Sequence, residues 1–357
     1  MTQYRLIRRA ALAGVLALPI LTTGCGLFSQ GGSKEIDPPQ NSSQNSALNS
    51  LAADETVSGA IDEQGQQAQM TLYLEDHNGM LAPVTVAAGE GDPKQLGQKA
   101  LEMMIDGSPQ SGDLPEGFSA LLPQGTEVRG FTVDPEQKLA IVDFTQPFSD
   151  YNVADERRII EAVTWTLTGI EGIQKVELRL EGEKLNEMPV DGFPLEVPLT
   201  RAVGINLEAA EGVDYSQSTP VTLYFSAVTD HDESYYVPVT RLINRTNNKA
   251  VSAMEELIAG PLDLSKQLHP VITSDVTVKK ISKKDDIVTV ELEDAAYQEG
   301  QQTPAEMMQA VVLSLIDNTG LGKVQIVING KTDLIDTNNQ SYSKPVGRPE
   351  RINALKL

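Results

Sequence analysis

The chain has 357 residues, 40% of them apolar, and a formal net charge of −22. That length suits about two domains, each able to bury a core, and the acidic balance argues against a nucleic-acid partner, which requires clustered positive charge against phosphates. One cysteine, Cys25, excludes an intrachain disulfide, and three histidines, His77, His231 and His269, leave little material for a histidine-rich metal site.

The amino terminus reads as a targeting segment. Arg5, Arg8 and Arg9 form a basic stretch ahead of an apolar run from Ala10 to Leu21. That run is short for a membrane span and suited to a signal peptide. It ends in Leu21-Thr22-Thr23-Gly24-Cys25, which resembles a bacterial lipobox except that Thr22 stands where Leu is usual. Residues 1–24 are therefore expected to be a lipoprotein signal peptide and Cys25 the lipidated residue; a plain secretory signal with an incidental Cys is the alternative. Two acyl chains on Cys25 hold a protein on a membrane, whereas one anchors only marginally. Residues 25–69 are rich in Ser, Asn, Gln and Gly around Asp37-Pro38-Pro39. Such a composition buries too little apolar area to offset ordering entropy, and the expectation is a disordered tether with a reach of about 35 Å.

The rest of the chain contains one pattern twice. Ile159 to Gly182 and Met307 to Gly330, 148 residues later, share an apolar helix, a short turn, an alternating strand and a Gly turn. In the first copy, strands are expected over Met70–Leu74 and Leu81–Ala87. Asp92-Pro93-Lys94-Gln95 then starts a helix, with Asp as cap, Pro in the first turn and Gln at the third helical position. A hairpin over Val128–Phe144, a second helix over Asp155–Thr168 and a strand with Val176, Leu178 and Leu180 inward complete it. In the second copy, Thr222-Leu223-Tyr224-Phe225 answers Thr71-Leu72-Tyr73-Leu74, and Val237-Pro238-Val239-Thr240 answers Ala82-Pro83-Val84-Thr85. Thr303-Pro304-Ala305-Glu306 reads as a capping box, and Asn329-Gly330 as a hairpin turn.

The fold class is thus α+β: two tandem β-β-α-β-β-α-β repeats, each a small mixed sheet with two helices on one face. The expected domains are 70–206 and 220–353, joined by a linker over 207–219 and followed by a tail over 354–357. The first is the more acidic, with 23 acids against 10 bases in 70–206, compared with 18 against 13 in 220–352.

These features resemble the GerM-type sporulation and spore germination lipoproteins, whose repeats are GerMN domains. The residues that carry the resemblance are Gly117 to Pro123, Val163 to Thr168, Glu187 to Val190, Gly204 to Glu208, and the Cys25 and Asp37-Pro38-Pro39 regions. The resemblance implies domains similar to ring-building motifs of envelope assemblies. It also implies a membrane lipoprotein on the extracytoplasmic face, in the space between mother cell and forespore, and no enzymatic activity.

Read from the residues alone, chemistry is sparse. His77 and His231 lie in corresponding polar turns, which read either as a metal or acid–base site in each repeat or as solvated turns. No Gly-rich phosphate loop, Gly-x-Ser-x-Gly or His-Glu-x-x-His occurs, and no catalytic residue, cofactor or metal is assigned. Apolar residues off the main helix face attract more interest. Trp165 points away from the Ile159, Ile160, Val163 and Leu167 face, as does its counterpart Leu313. Packing between the repeats and a partner surface are both open readings, Trp being enriched in binding hot spots. The expectation is a lipid-anchored, non-enzymatic assembly module for sporulation and germination. Its expected partners are the membrane, through the lipid on Cys25, and envelope-complex proteins. Binding or remodelling of cortex peptidoglycan is the chief alternative, and a solute-binding lipoprotein fits less well.

Overall fold

The computed structural model describes residues 69–355. The expected signal peptide, Cys25 and the tether lie outside the described residues.

The first repeat opens with a hairpin, β1 (Gln69–Asp76) and β2 (Leu81–Ala87), paired antiparallel from Gln69↔Ala87 to Glu75↔Leu81. Its turn is tied by Asp76, whose Oδ1 accepts from the backbone N–H of Asn78 at 2.8 Å and of Met80 at 2.9 Å. Helix α1 (Pro93–Met103) starts as the residues dictate: Asp92 accepts from the Gln95 backbone N–H while the Gln95 side chain accepts from Asp92 N–H, and Pro93 sits in the first turn. β3 (Phe118–Ser119) adds a short strand to β1. β4 (Val128–Asp134) and β5 (Leu139–Phe144) form the second hairpin, with a bulge between Val128 and Gly130. Helix α2 (Glu156–Leu167) crosses back to β6 (Lys175–Leu180), which runs parallel to β5, and β7 (Glu183–Lys184) closes the sheet. α1 settles on β4 at Gly97, where an added Cβ would lie 2.3 Å from the Phe131 ring.

The connection to the second repeat holds β8 (Glu208–Ala209). The second repeat then runs β9 (Ser218–Val228), β10 (Ser234–Asn244), α3 (Lys249–Ala259), β11 (Val276–Lys284), β12 (Ile287–Asp294), α4 (Ala305–Thr319), β13 (Lys323–Ile328) and β14 (Val346–Gly347). The α+β class and the doubled β-β-α-β-β-α-β order are as the sequence implies. The strands of each repeat fall into two hydrogen-bonded groups rather than one. The opening hairpins form β2-β1-β3 and β8-β10-β9, and the mixed sheets are β4-β5-β6-β7 and β11-β12-β13-β14. The expected linker is not wholly irregular, because β8 pairs parallel to β10.

Two local expectations change. The capping box at Thr303 does not form: the Thr303 hydroxyl donates to the Ile335 carbonyl at 3.3 Å, and Thr337 Oγ1 receives the Ala305 N–H at 3.1 Å. A strand-like contact with a distant loop has claimed the hydroxyl that a local reading gives to the helix. The Asn329-Gly330 turn behaves as expected, both residues having positive φ between the reciprocally bonded Ile328 and Lys331. β11, at the outer edge of its sheet, carries Lys279, Lys280, Lys283 and Lys284, charges that discourage edge-to-edge pairing.

Candidate functional site at the junction of the repeats

The helices α2 and α4 are apolar on more than one side because each is enclosed. Every residue of α2 from Ile159 to Leu167 is buried. A polar side chain at equivalent places on both helices satisfies the neighbouring strand edge: the N–H of Tyr73 donates to Thr166 Oγ1 at 2.9 Å, and that of Tyr224 to Ser314 Oγ at 3.1 Å. Asn318 extends this on α4, accepting from Thr222 N–H at 2.9 Å and donating to Thr222 O. A hydroxyl recurring at the same place in both copies of the helix is the sequence signal for these residues.

Trp165 and Leu313 are interior residues, 1% and 0% exposed. Neither offers a surface to a partner, so the reading of these two residues as a partner surface gives way to packing. The Trp165 indole N–H donates to the Gly204 carbonyl at 2.7 Å, its ring meets Tyr73 edge-on at 5.4 Å, and the Arg201 guanidinium lies 4.5 Å from its centroid. Arg201 of the first repeat and Arg348 of the second, which occupy corresponding places, both face Asp317 on α4. Tyr224, the counterpart of Tyr73, donates its hydroxyl to Asp317 at 2.7 Å. Burial raises the Asp317 carboxyl, but Arg348, Arg201 and the Tyr224 hydroxyl together hold it below its ordinary value; burial and Asp317 push Tyr224 well up.

The repeats are clasped reciprocally. Each ends in Ile-Asn, with the Asn at positive φ: Ile205-Asn206 and Ile352-Asn353. Ile205 docks on Thr240 of β10, its N–H donating to Thr240 Oγ1 at 3.0 Å and its carbonyl accepting Thr240 N–H at 2.8 Å. Ile352 docks in the same way on Thr85 of β2, at 2.8 and 3.1 Å. The two asparagines then stitch β2 to β10. Asn206 receives Leu81 N–H and donates to the carbonyls of Leu81 and Pro238. Asn353 receives Tyr236 N–H and donates to the carbonyls of Tyr236 and Pro83. Tyr236 corresponds to Leu81 and Pro238 to Pro83, so each bond has its mirror in the other repeat. Glu161 supports one half by accepting from Asn206 N–H at 2.9 Å and from Arg157 at 2.6 Å. Burial raises its carboxyl above the ordinary value despite Arg157 and Asn206.

His77 and His231 lie in exposed turns. His77 sits 3.1 Å from the Asn78 amide and His231 3.2 Å from Glu116 Oε2. Beside them, Tyr235 donates to Asp76 Oδ2 at 2.8 Å, a contact between repeats that the sequence did not suggest. Among the described residues, no three or more His, Cys, Asp or Glu side chains gather as a metal site. The Glu187–Val190 stretch is explained by Glu156, whose carboxylate accepts from the N–H groups of Val190, Asp191 and Phe193 and from the Tyr151 hydroxyl. Burial acts upward on Glu156, and these donors outweigh it.

The paired, clasped repeats find their counterpart in known proteins. A sequence model of the Germane family, described as sporulation and spore germination, matches residues 71–186 and 222–334. The chain belongs to the Germane family. Both Germane matches fall on the two β-β-α-β-β-α-β repeats and stop short of the Ile-Asn ends. The chain is 35% identical to the spore germination protein GerM of Bacillus subtilis strain 168, over 96% of each sequence. The described Germane fold is also similar to the solved tandem GerMN domains of the sporulation protein GerM from Bacillus subtilis. There the TM-score is 0.74 and the identity 34%, over 80% of this chain and 99% of that one. No helix of the described residues is long and apolar enough to cross a membrane.

Proposed function

We propose that this protein is a lipid-anchored envelope protein of sporulation and spore germination. It acts without catalysis, as an assembly module in the space between mother cell and forespore. The observation that carries the reading is the Germane match over both repeats. Cys25, behind its lipobox-like run, supplies the anchor on the extracytoplasmic face, and residues 26–69 supply reach. The reciprocal clasp supports the mechanical part. Two repeats bonded through Asn206 and Asn353 move as one body and present a fixed set of surfaces to envelope proteins.

The test is a crosslinking pulldown from sporulating cells, with the wild-type chain beside Cys25→Ala at matched abundance. Recovery of envelope-complex proteins, together with loss of membrane retention and of heat-resistant spores in Cys25→Ala, supports the proposal. Retention on purified cortex peptidoglycan with no protein partner would replace assembly by cell-wall binding.

A further inference from the structure

The two repeats differ at one place that their shared fold makes conspicuous. In the first repeat, the start of α2 places Arg157 and Arg158 among acceptors. Arg157 donates to Glu161 at 2.6 Å and to the Val203 carbonyl at 2.8 Å, and its guanidinium stacks 5.5 Å from the Phe193 ring centroid. Arg158 pairs with Glu75 and Asp155. These contacts tie the start of α2 to the β1–β2 hairpin and to the segment around Val203.

At the corresponding place in the second repeat the arginines are gone. Ala305 stands for Arg157, Glu306 for Arg158, Gln309 for Glu161 and Ser226 for Glu75. A cavity of about 480 Å³ opens there, lined by those four residues together with Tyr236 and Asn353. Its lining is neutral at two positions where the first repeat has carboxylates, Gln309 for Glu161 and Ser226 for Glu75. Gln309 keeps an acceptor where Glu161 has one, and Glu306 puts a carboxylate where the first repeat has a cation. Tyr236 supplies an aromatic wall, its hydroxyl pushed up by burial and by the carboxylates of Glu306 and Asp336. Arg351, an exposed residue, also lines the cavity, its guanidinium turned to Gln69 of the first repeat at 3.0 Å.

We infer that this cavity of the second repeat is a guanidinium-binding site, taking from a ligand the group that Arg157 supplies internally in the first. A planar guanidinium suits the paired acceptors and the aromatic face, as a compact ammonium does not. The net charge of −22 draws basic ligands toward the surface. The guanidinium has two sources, an arginine side chain of a partner polypeptide or free arginine, and the experiment separates them. The inference concerns the cavity alone and stands apart from the membrane anchor and the sporulation role.

The full chain in detergent is titrated by calorimetry with N-acetyl-L-argininamide, which mimics a peptide-borne side chain, with L-arginine, and with the uncharged isostere N-acetyl-L-citrullinamide. The expected result is saturable binding of N-acetyl-L-argininamide, about tenfold tighter than the citrulline compound, since a charge-assisted hydrogen bond exceeds a neutral one by about that factor. Argininamide binding at least as tight as arginine assigns a polypeptide source, and tighter binding of L-arginine assigns the free amino acid. Glu306→Gln, a solvent-accessible and nearly isosteric change, should weaken binding about tenfold with no change in melting temperature. Ala305→Arg with Gln309→Glu, which restores the first repeat's arginine and carboxylate, should abolish it. Equal binding of the arginine and citrulline compounds, no saturable binding, or full binding by Glu306→Gln overturns the inference.

Discussion

Asn353→Ala tests the clasp directly. The side chain receives Tyr236 N–H at 2.7 Å and donates to Pro83 O at 2.7 Å and Tyr236 O at 2.8 Å. Truncation strands one part-buried donor beside the cavity, where water limits the cost to about 1 kcal/mol, and removes a net hydrogen bond from each of two carbonyls, at about 1 kcal/mol apiece before solvent relaxation. Asn353 also has φ of +52°, which Ala tolerates less well, adding about 1 kcal/mol. The expected loss is about 3–4 kcal/mol, with Asn353→Gly about 1 kcal/mol milder because the backbone term disappears. The assay is urea unfolding at pH 7, followed by fluorescence and by far-UV circular dichroism. The only tryptophan, Trp165, lies in the first repeat, whereas Asn353 belongs to the second. Both signals should nevertheless move together to a lower midpoint, since the bonds cross between repeats. A loss below about 1 kcal/mol, or a circular dichroism transition that shifts while Trp165 fluorescence does not, would refute the reasoning.

Gly97→Ala should destabilise by about 1–3 kcal/mol, although Ala is the better helix former by about 1 kcal/mol, because its Cβ meets the Phe131 ring. Adding Phe131→Leu should return part of that loss in thermal melts. Asp317 has a folded pKa below its ordinary 3.8, so its contribution is present above pH 3.8 and is lost as pH falls through the depressed value. Asp317→Asn should cost about 3–5 kcal/mol at neutral pH, by leaving Arg348 without its carboxylate, and should flatten that acid limb in urea melts between pH 2 and 7. Ser314→Ala should cost about 1–3 kcal/mol by leaving the Tyr224 N–H without an acceptor, while Ser314→Thr should retain most of the stability.

Local signals were legible wherever the chain answers to itself over a few residues. Asp92 and Gln95 cap α1 as their spacing requires, and Asn329-Gly330 turns as its residue types require. The failures share a cause in distant partners. Thr303 reads as a cap until Ile335, far along the chain, takes its hydroxyl. Trp165 lies off the apolar face of α2 on a helical wheel, but a wheel does not show that Tyr73, Arg201 and Gly204 enclose that side too. Alternation marks a half-buried strand without naming its neighbour, so two sheets per repeat look like one. The clasp had a faint signal, Ile-Asn at the end of each repeat, which gains meaning only once Thr85 and Thr240 are seen as its receivers.

That exchange of ends bears on how the chain is finished as it is made. Thr85 and Pro83 wait for Ile352 and Asn353, segments separated by most of the folded body. While the chain emerges residue by residue, the opening hairpin of the first repeat has one flank uncovered until residue 353 arrives. Any product broken off before that point leaves bare the Pro83–Thr85 flank of β2 that the intact molecule covers. A proteolytic surveillance system needs no further mark to tell the two apart.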